Sequence, residues 1–292
     1  MSYPKTSTTR PDTDRPVETA LDAATEHYQV EQYWPASGQC NEHIDTLASE
    51  VPVALQYNGT SHVVMLASGM NLTDLAYGFS YTEGIIRRPS DIYDCEVHHT
   101  PQGYVLDITI ASACMQQLKL RRRRMTGQTG CGLCGIESLE ALDHALQPLP
   151  TPAPNLDSAA IEHALHTLAQ QQPLRQRTGA THAAGWANFT GEIQLIREDV
   201  GRHNALDKLI GALLREERTA ADGFAVVSSR ASYEMVQKTI QAQIPALVAV
   251  SAPTSLAVKV ARDHHLILVG FARGKKFNIY HGSQYINHAV RT

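Results

Sequence analysis

From residue 51 onward the chain alternates short apolar runs with amphipathic stretches, and this pattern predicts a folded protein of mixed helices and strands. VPVALQY and SHVVMLA flank Asn58-Gly59, the strongest short signal for a tight β-hairpin, because both turn residues tolerate a left-handed backbone. Apolar positions at helical spacing follow Asn71, a candidate cap, and residues 95–110 read as a second hairpin turning at Pro101-Gln-Gly103. Ile136, Leu139, Leu142 and Leu146 mark one face of a short helix, the Pro-rich residues 147–155 read as a linker, and another helix is expected over 156–171. Residues 181–196 suggest a hairpin, and Ala205, Leu206, Leu209, Ile210, Leu213 and Leu214 form the stripe of the next helix. Apolar strands then alternate with amphipathic helices as far as residue 281, so the sheet must be covered on both faces. The expected fold is α/β: a mixed sheet with helices on both faces over residues 151–292, preceded by a smaller, hairpin-rich α+β region over 48–150. Residues 1–47 open with a polar stretch rich in Thr and Pro and are expected to be a disordered or variable tail.

Composition narrows the possibilities. With 292 residues, 43% of them hydrophobic and 18% charged, the chain can bury one sizeable core or two modest ones. A formal net charge of -4 argues against coating nucleic acid or an anionic membrane, so any anion site must be local. No apolar run approaches the roughly 20 residues of a membrane helix and no signal peptide is recognised, which predicts a cytoplasmic protein. Five cysteines at irregular spacing do not resemble a secreted disulfide framework.

One pair stands apart: Cys131 and Cys134, in TGQTGCGLCG. A Cys-x-x-Cys can be half of a zinc site, a redox dithiol, a sulfur-transfer site or an unreactive pair. Structural zinc wants four ligands, and the chain has no second such pair; the nearest histidine, His144, falls late in the following helix. Redox dithiols sit among bulky residues at a helix start, whereas here glycines flank both cysteines. Arg121 to Arg124 and the predicted helix start near Ile136 would favour a thiolate. The arginine run alone also fits a solvated face, an RNA-binding patch without the usual aromatics, or attraction of a phosphate-rich ligand.

Three predicted strand ends share a design. Glu198-Asp-Val-Gly-Arg-His203 opens a helix and offers Arg202 and His203; Ser228-Ser-Arg230 and Ser251-Ala-Pro-Thr254 precede two more. Together they would line a crevice at the carboxyl ends of the strands, although a helix cap with a surface ion pair explains each one equally well alone. Gly270-Phe-Ala-Arg-Gly-Lys-Lys276 adds three cations and an aromatic ring after the last apolar strand. In Thr181-His-Ala-Ala184, alanine stands where zinc-dependent deaminases carry the glutamate of His-x-Glu, so deaminase chemistry is not expected and His182 reads as a core residue.

TGQTGCGLCG, THAAGWA, EDVGRHNALDKLIG, SSRASYEMVQK, SAPTSLAV and VGFARGKKFNIY, in this order over residues 51–280, closely resemble the FdhD family of formate dehydrogenase accessory proteins. The resemblance implies a cytidine-deaminase-like C-terminal domain and a homodimeric cytoplasmic sulfurtransferase. Such a protein takes sulfur from a cysteine desulfurase as a cysteine persulfide and passes it to the molybdenum of a bis(molybdopterin guanine dinucleotide) cofactor destined for formate dehydrogenase. It implies that Cys131 carries the persulfide, with Cys134 assisting, and that Phe271, Ala272, Arg273, Gly274, Lys275 and Lys276 contact the cofactor. Arg202, His203 and Arg230 join them from the strand ends, and no resident metal site is expected. The alternative is a chaperone that binds the molybdenum cofactor without transferring sulfur. One departure is Ala180, where some relatives carry Cys or Gly.

Overall fold

The computed structural model describes residues 21–126, 146–151, 153–273 and 276–287, with backbone alone over 121–126. Within the expected tail, β1 (Thr25–Trp34) pairs antiparallel with β2 (Gln39–Ala48), and Gly38 turns between them at φ 69°. This corrects the tail assignment for residues 25–47. The hairpin escapes a pattern reading because nearly all of its residues are exposed, so burial imposes no alternation on them. Its root is held by Leu21, Ala24 and Leu174 and by an Asp22–Arg177 ion pair of 2.8 Å.

Asn58 and Gly59, at φ 47° and 72°, fold β3 (Val51–Tyr57) onto β4 (Thr60–Ala67) as their sequence predicts. β5 (Ile92–Thr100) and β6 (Gly103–Ile110) form the second hairpin, and a parallel β3/β6 pairing joins the two in the order β4-β3-β6-β5. Alternate residues Val53, Leu55, Leu106 and Ile108 pack beneath Leu72, Leu75 and Ala76 of α1 (Leu72–Thr82) and Met115 and Leu118 of α2 (Ser112–Thr126). Asn71 precedes α1 in the left-handed conformation and makes no side-chain cap bond, contrary to the capping role expected of it.

The Pro-rich stretch before the second sheet is packed: Leu149 is buried and its N–H donates to the His264 carbonyl at 3.1 Å. After β7 (Leu156–Asp157) come α3 (Ser158–Gln170), α4 (Pro173–Thr178), β8 (His182–Asn188), β9 (Ile193–Asp199) and α5 (Arg202–Arg215). β10 (Gly223–Val227), α6 (Tyr233–Gln241), β11 (Ala246–Ala249), α7 (Ser255–Asp263), β12 (Ile267–Arg273), β13 (Lys276–His281) and β14 (Ile286–Asn287) complete the described chain. Six strands form a mixed sheet ordered β13-β12-β11-β10-β8-β9, and β7 pairs with β14 apart from it. In β10, Ala225 and Val227 face the cluster holding α5, α6 and α7, while Phe224 and Val226 face the one holding α3. The fold is thus α/β with helices on both sheet faces, and burying each large apolar side chain there stabilises it by about 1.5–3 kcal/mol. No helix among the described residues is long and apolar enough to cross a membrane.

α1, from the first sheet, crosses α5, from the second, at two glycines. A Cβ at Gly78 would collide with the Asp207 carbonyl oxygen, and one at Gly211 with that of Asp74. Around this crossing the charges are paired. Arg197 Nε lies 2.7 Å from Asp74 Oδ2, Arg215 reaches the other Asp74 oxygen, and Lys238 Nζ lies 3.0 Å from Asp207 and 3.1 Å from Glu83.

Candidate functional site

Strand direction decides which residues share an edge. β10, β11 and β12 run parallel; β8 is antiparallel to β10, β9 to β8, and β13 to β12. The carboxyl ends of β9 to β12 and the amino ends of β8 and β13 therefore lie together. Arg202 and His203 follow β9, His182 opens β8, Arg230 follows β10, Phe271 to Arg273 end β12, and Lys276 starts β13. The sheet thus brings to one edge every described residue that the sequence marks for cofactor binding. Cys131, Cys134, Gly274 and Lys275 lie outside the described residues.

The turn presenting Arg202 is fixed from below. Asp199 is fully buried; its carboxylate accepts from Lys208 Nζ at 2.6 Å, Ser68 N at 3.0 Å, Gly201 N at 2.8 Å and Asn204 Nδ2 at 3.0 Å. Lys208 Nζ also donates to the Ser68 carbonyl at 3.0 Å, tying the turn to the first sheet. Glu198 turns the other way and accepts from the backbone N–H groups of Leu174 and Arg175 at the start of α4. The acidic half of this motif is structural, then, and only Arg202 and His203 remain for a ligand.

At this edge several buried polar atoms have no hydrogen-bond partner among the described residues: Arg202 Nε, His182 Nδ1 and Ser232 Oγ. Unsatisfied buried polar groups are rare in folded proteins and call for an explanation such as ligand binding. His182, half-buried beside Arg202 and Arg175, is held below the usual imidazole pKa, first by burial and then by the two guanidiniums. It is therefore not the satisfied core residue expected from sequence. His203 Nε2 lies 2.7 Å from Glu234 Oε2, a close contact that does not meet hydrogen-bond geometry. Burial lowers the His203 pKa and Arg202, Lys238 and Arg230 lower it further, against the opposing pull of Glu234.

Phe271 is the strained residue of the edge. It adopts φ 50° in a β-bulge, its N–H donates to the Ser251 carbonyl at 3.1 Å, and its ring is 47% exposed. A non-glycine residue in this region costs about 1–3 kcal/mol and concentrates at functional sites. Ala272 beside it is buried, and exposed Arg273 donates to the Val250 carbonyl at 3.1 Å.

The profile of the FdhD/NarQ family matches residues 48–287. The sequence is 51% identical over 242 residues to the sulfur carrier protein FdhD of Variovorax paradoxus, covering 83% of this chain and 87% of that protein. The protein of the same description from Bordetella petrii is 50% identical over 236 residues, covering 81% and 84%. The chain belongs to the FdhD/NarQ family. A crystal structure of a candidate formate dehydrogenase accessory protein from Desulfotalea psychrophila shares the fold, with a TM-score of 0.72 at 22% identity, covering 90% of this chain and all of that one.

The FdhD/NarQ match begins at residue 48, so all of the β1/β2 hairpin but its last residue lies outside it. Within the matched span, His203 is the second residue of α5, and Ser229 and Ser232 precede α6. Among the described residues no three His, Cys, Asp or Glu side chains are grouped to hold a metal ion. Sequence reasoning missed Ser232 and Glu234, whose one signal was their place at the head of a helix following an apolar strand.

Proposed function

We propose that this chain is a sulfur carrier of the FdhD type, acting as a homodimer in the cytoplasm. It takes sulfur onto Cys131 from a cysteine desulfurase and delivers it to the molybdenum of a bis(molybdopterin guanine dinucleotide) cofactor serving formate dehydrogenase. The observation that carries the reading is the convergence of Arg202, His203, Arg230, Phe271, Arg273 and Lys276 on one sheet edge, with orphaned polar atoms among them. That donor set suits a phosphate-bearing nucleotide: guanidiniums and ammonium for the phosphates, an exposed ring for the base. The relatives named as sulfur carriers supply the direction of the chemistry.

In this mechanism the Cys131 thiolate attacks the outer sulfur of the donor persulfide, an S–S bond forms on Cys131, and the desulfurase thiolate leaves. The four arginines upstream in the sequence favour the thiolate. Attack of the Cys134 thiolate on the Cys131 sulfur then forms a disulfide and releases the outer sulfur as hydrosulfide. The two thiols supply its two electrons, and cytosolic reductants restore them.

Intact-mass analysis after incubation with desulfurase and cysteine tests this. One added sulfur is expected on the wild type and none on Cys131→Ala, which should also fail to mature active formate dehydrogenase. A Cys131→Ala protein that matured fully active enzyme would sink the assignment. Cofactor binding with no added sulfur would mark a chaperone instead.

A further inference from the structure

The close contact between Glu234 and His203 serves no evident purpose in holding the fold. Glu234 is the second residue of α6, its side chain is 58% exposed, and its carboxylate lies 2.7 Å from His203 Nε2. The other charges acting on His203 are positive: Arg202, Arg230 and Lys238. Lys238 is already bound to Asp207 and Glu83, whereas Arg202 Nε has no partner among the described residues and Arg230 is exposed. Ser232, two residues before Glu234, is only 8% exposed, and its hydroxyl too has no partner among the described residues. A negative group thus stands at the rim of a cluster in which Arg202 Nε and Ser232 Oγ have no hydrogen-bond partner among the described residues. Because that carboxylate is mostly in water, its contact with His203 is readily exchanged for a ligand's phosphate.

We propose that Glu234 is a built-in competitor of the ligand, whose carboxylate occupies the place of a phosphate beside His203. This rests on reading the strand-end crevice as a nucleotide site. Binding a phosphate there requires displacing the carboxylate or sitting beside its charge, so the residue lowers the affinity for a diphosphate and leaves an uncharged nucleoside unaffected.

Isothermal titration of the full chain with guanosine 5′-diphosphate and with guanosine tests the idea. Glu234→Gln keeps the side-chain shape and removes the charge; it should bind the diphosphate about fivefold more tightly than wild type, with guanosine binding unchanged. Glu234→Asp, with a shorter reach to His203, should fall between. Unchanged thermal unfolding of both variants checks that they fold. If wild type binds the diphosphate and Glu234→Gln binds it equally or more weakly, the competitor role is overturned and the site reading stands. If neither protein binds it, the site reading fails and this inference falls with it.

Discussion

α5 carries two groups of charged residues that the structure treats in opposite ways. Asp207, Lys208 and Arg215 face the join between the two sheets, and each is paired: with Lys238, Asp199 and Asp74. Arg202 and His203, in the first turn of the same helix, reach the strand-end edge, where Arg202 Nε has no partner among the described residues and His203 meets a largely exposed carboxylate. Desolvating a charge is tolerated only where another charge and hydrogen bonds compensate it. Complete pairing therefore marks residues that hold the halves together, and incomplete pairing among the described residues sets apart those assigned to the proposed ligand edge.

The strongest test of this contrast is Lys208→Met. It leaves Asp199 fully buried without its counter-charge, and chemical denaturation should register a loss of about 3–5 kcal/mol. Arg202→Gln should change stability by no more than about 0.5 kcal/mol yet weaken guanosine 5′-diphosphate binding roughly tenfold by titration. If the two variants were equally stable, the division within α5 would be unfounded.

A smaller effect is expected at Phe271. Phe271→Gly relieves the positive φ and should raise stability by about 1 kcal/mol while weakening nucleotide binding, since the exposed ring contributes little to the core. A variant both less stable and unimpaired in binding would move Phe271 from the site to the fold.

The smallest effect is a pH slope. Burial and two guanidiniums hold folded His182 below its ordinary value of 6.5, so the unfolded chain takes up its proton first as pH falls. This contribution to stability is intact above the unfolded value and is lost as pH drops through it toward the folded one. Thermal unfolding followed from about pH 7.5 to 5.5 should decline less steeply in His182→Gln than in wild type; identical slopes would remove His182 from the electrostatics of the edge.

The sheet that builds the edge was legible in the sequence because uninterrupted apolar runs such as GFAVV and LILVGF have one physical solution, burial on both faces. Asn58-Gly59 was legible because its turn requires left-handed residues. The hairpin over residues 25–48 was not, since strands that bury neither face leave no alternation to read. At the site, Arg202 and the cations after β12 announced themselves by charge. Nothing local distinguished Glu198 and Asp199, which hold the structure, from Glu234, which faces a histidine at the same edge; only the partners that the fold brings to each separate them.

The crossing at Gly78 and Gly211 also bears on heredity. Each helix there admits the other's backbone only because both positions lack a side chain. A genetic exchange between distant relatives with its breakpoint between residues 82 and 202 would bring together an α1 and an α5 that had diverged separately. Such a chimera should survive only if both parents retain the glycines, so the two halves are bound to be inherited as one unit although each builds its own sheet.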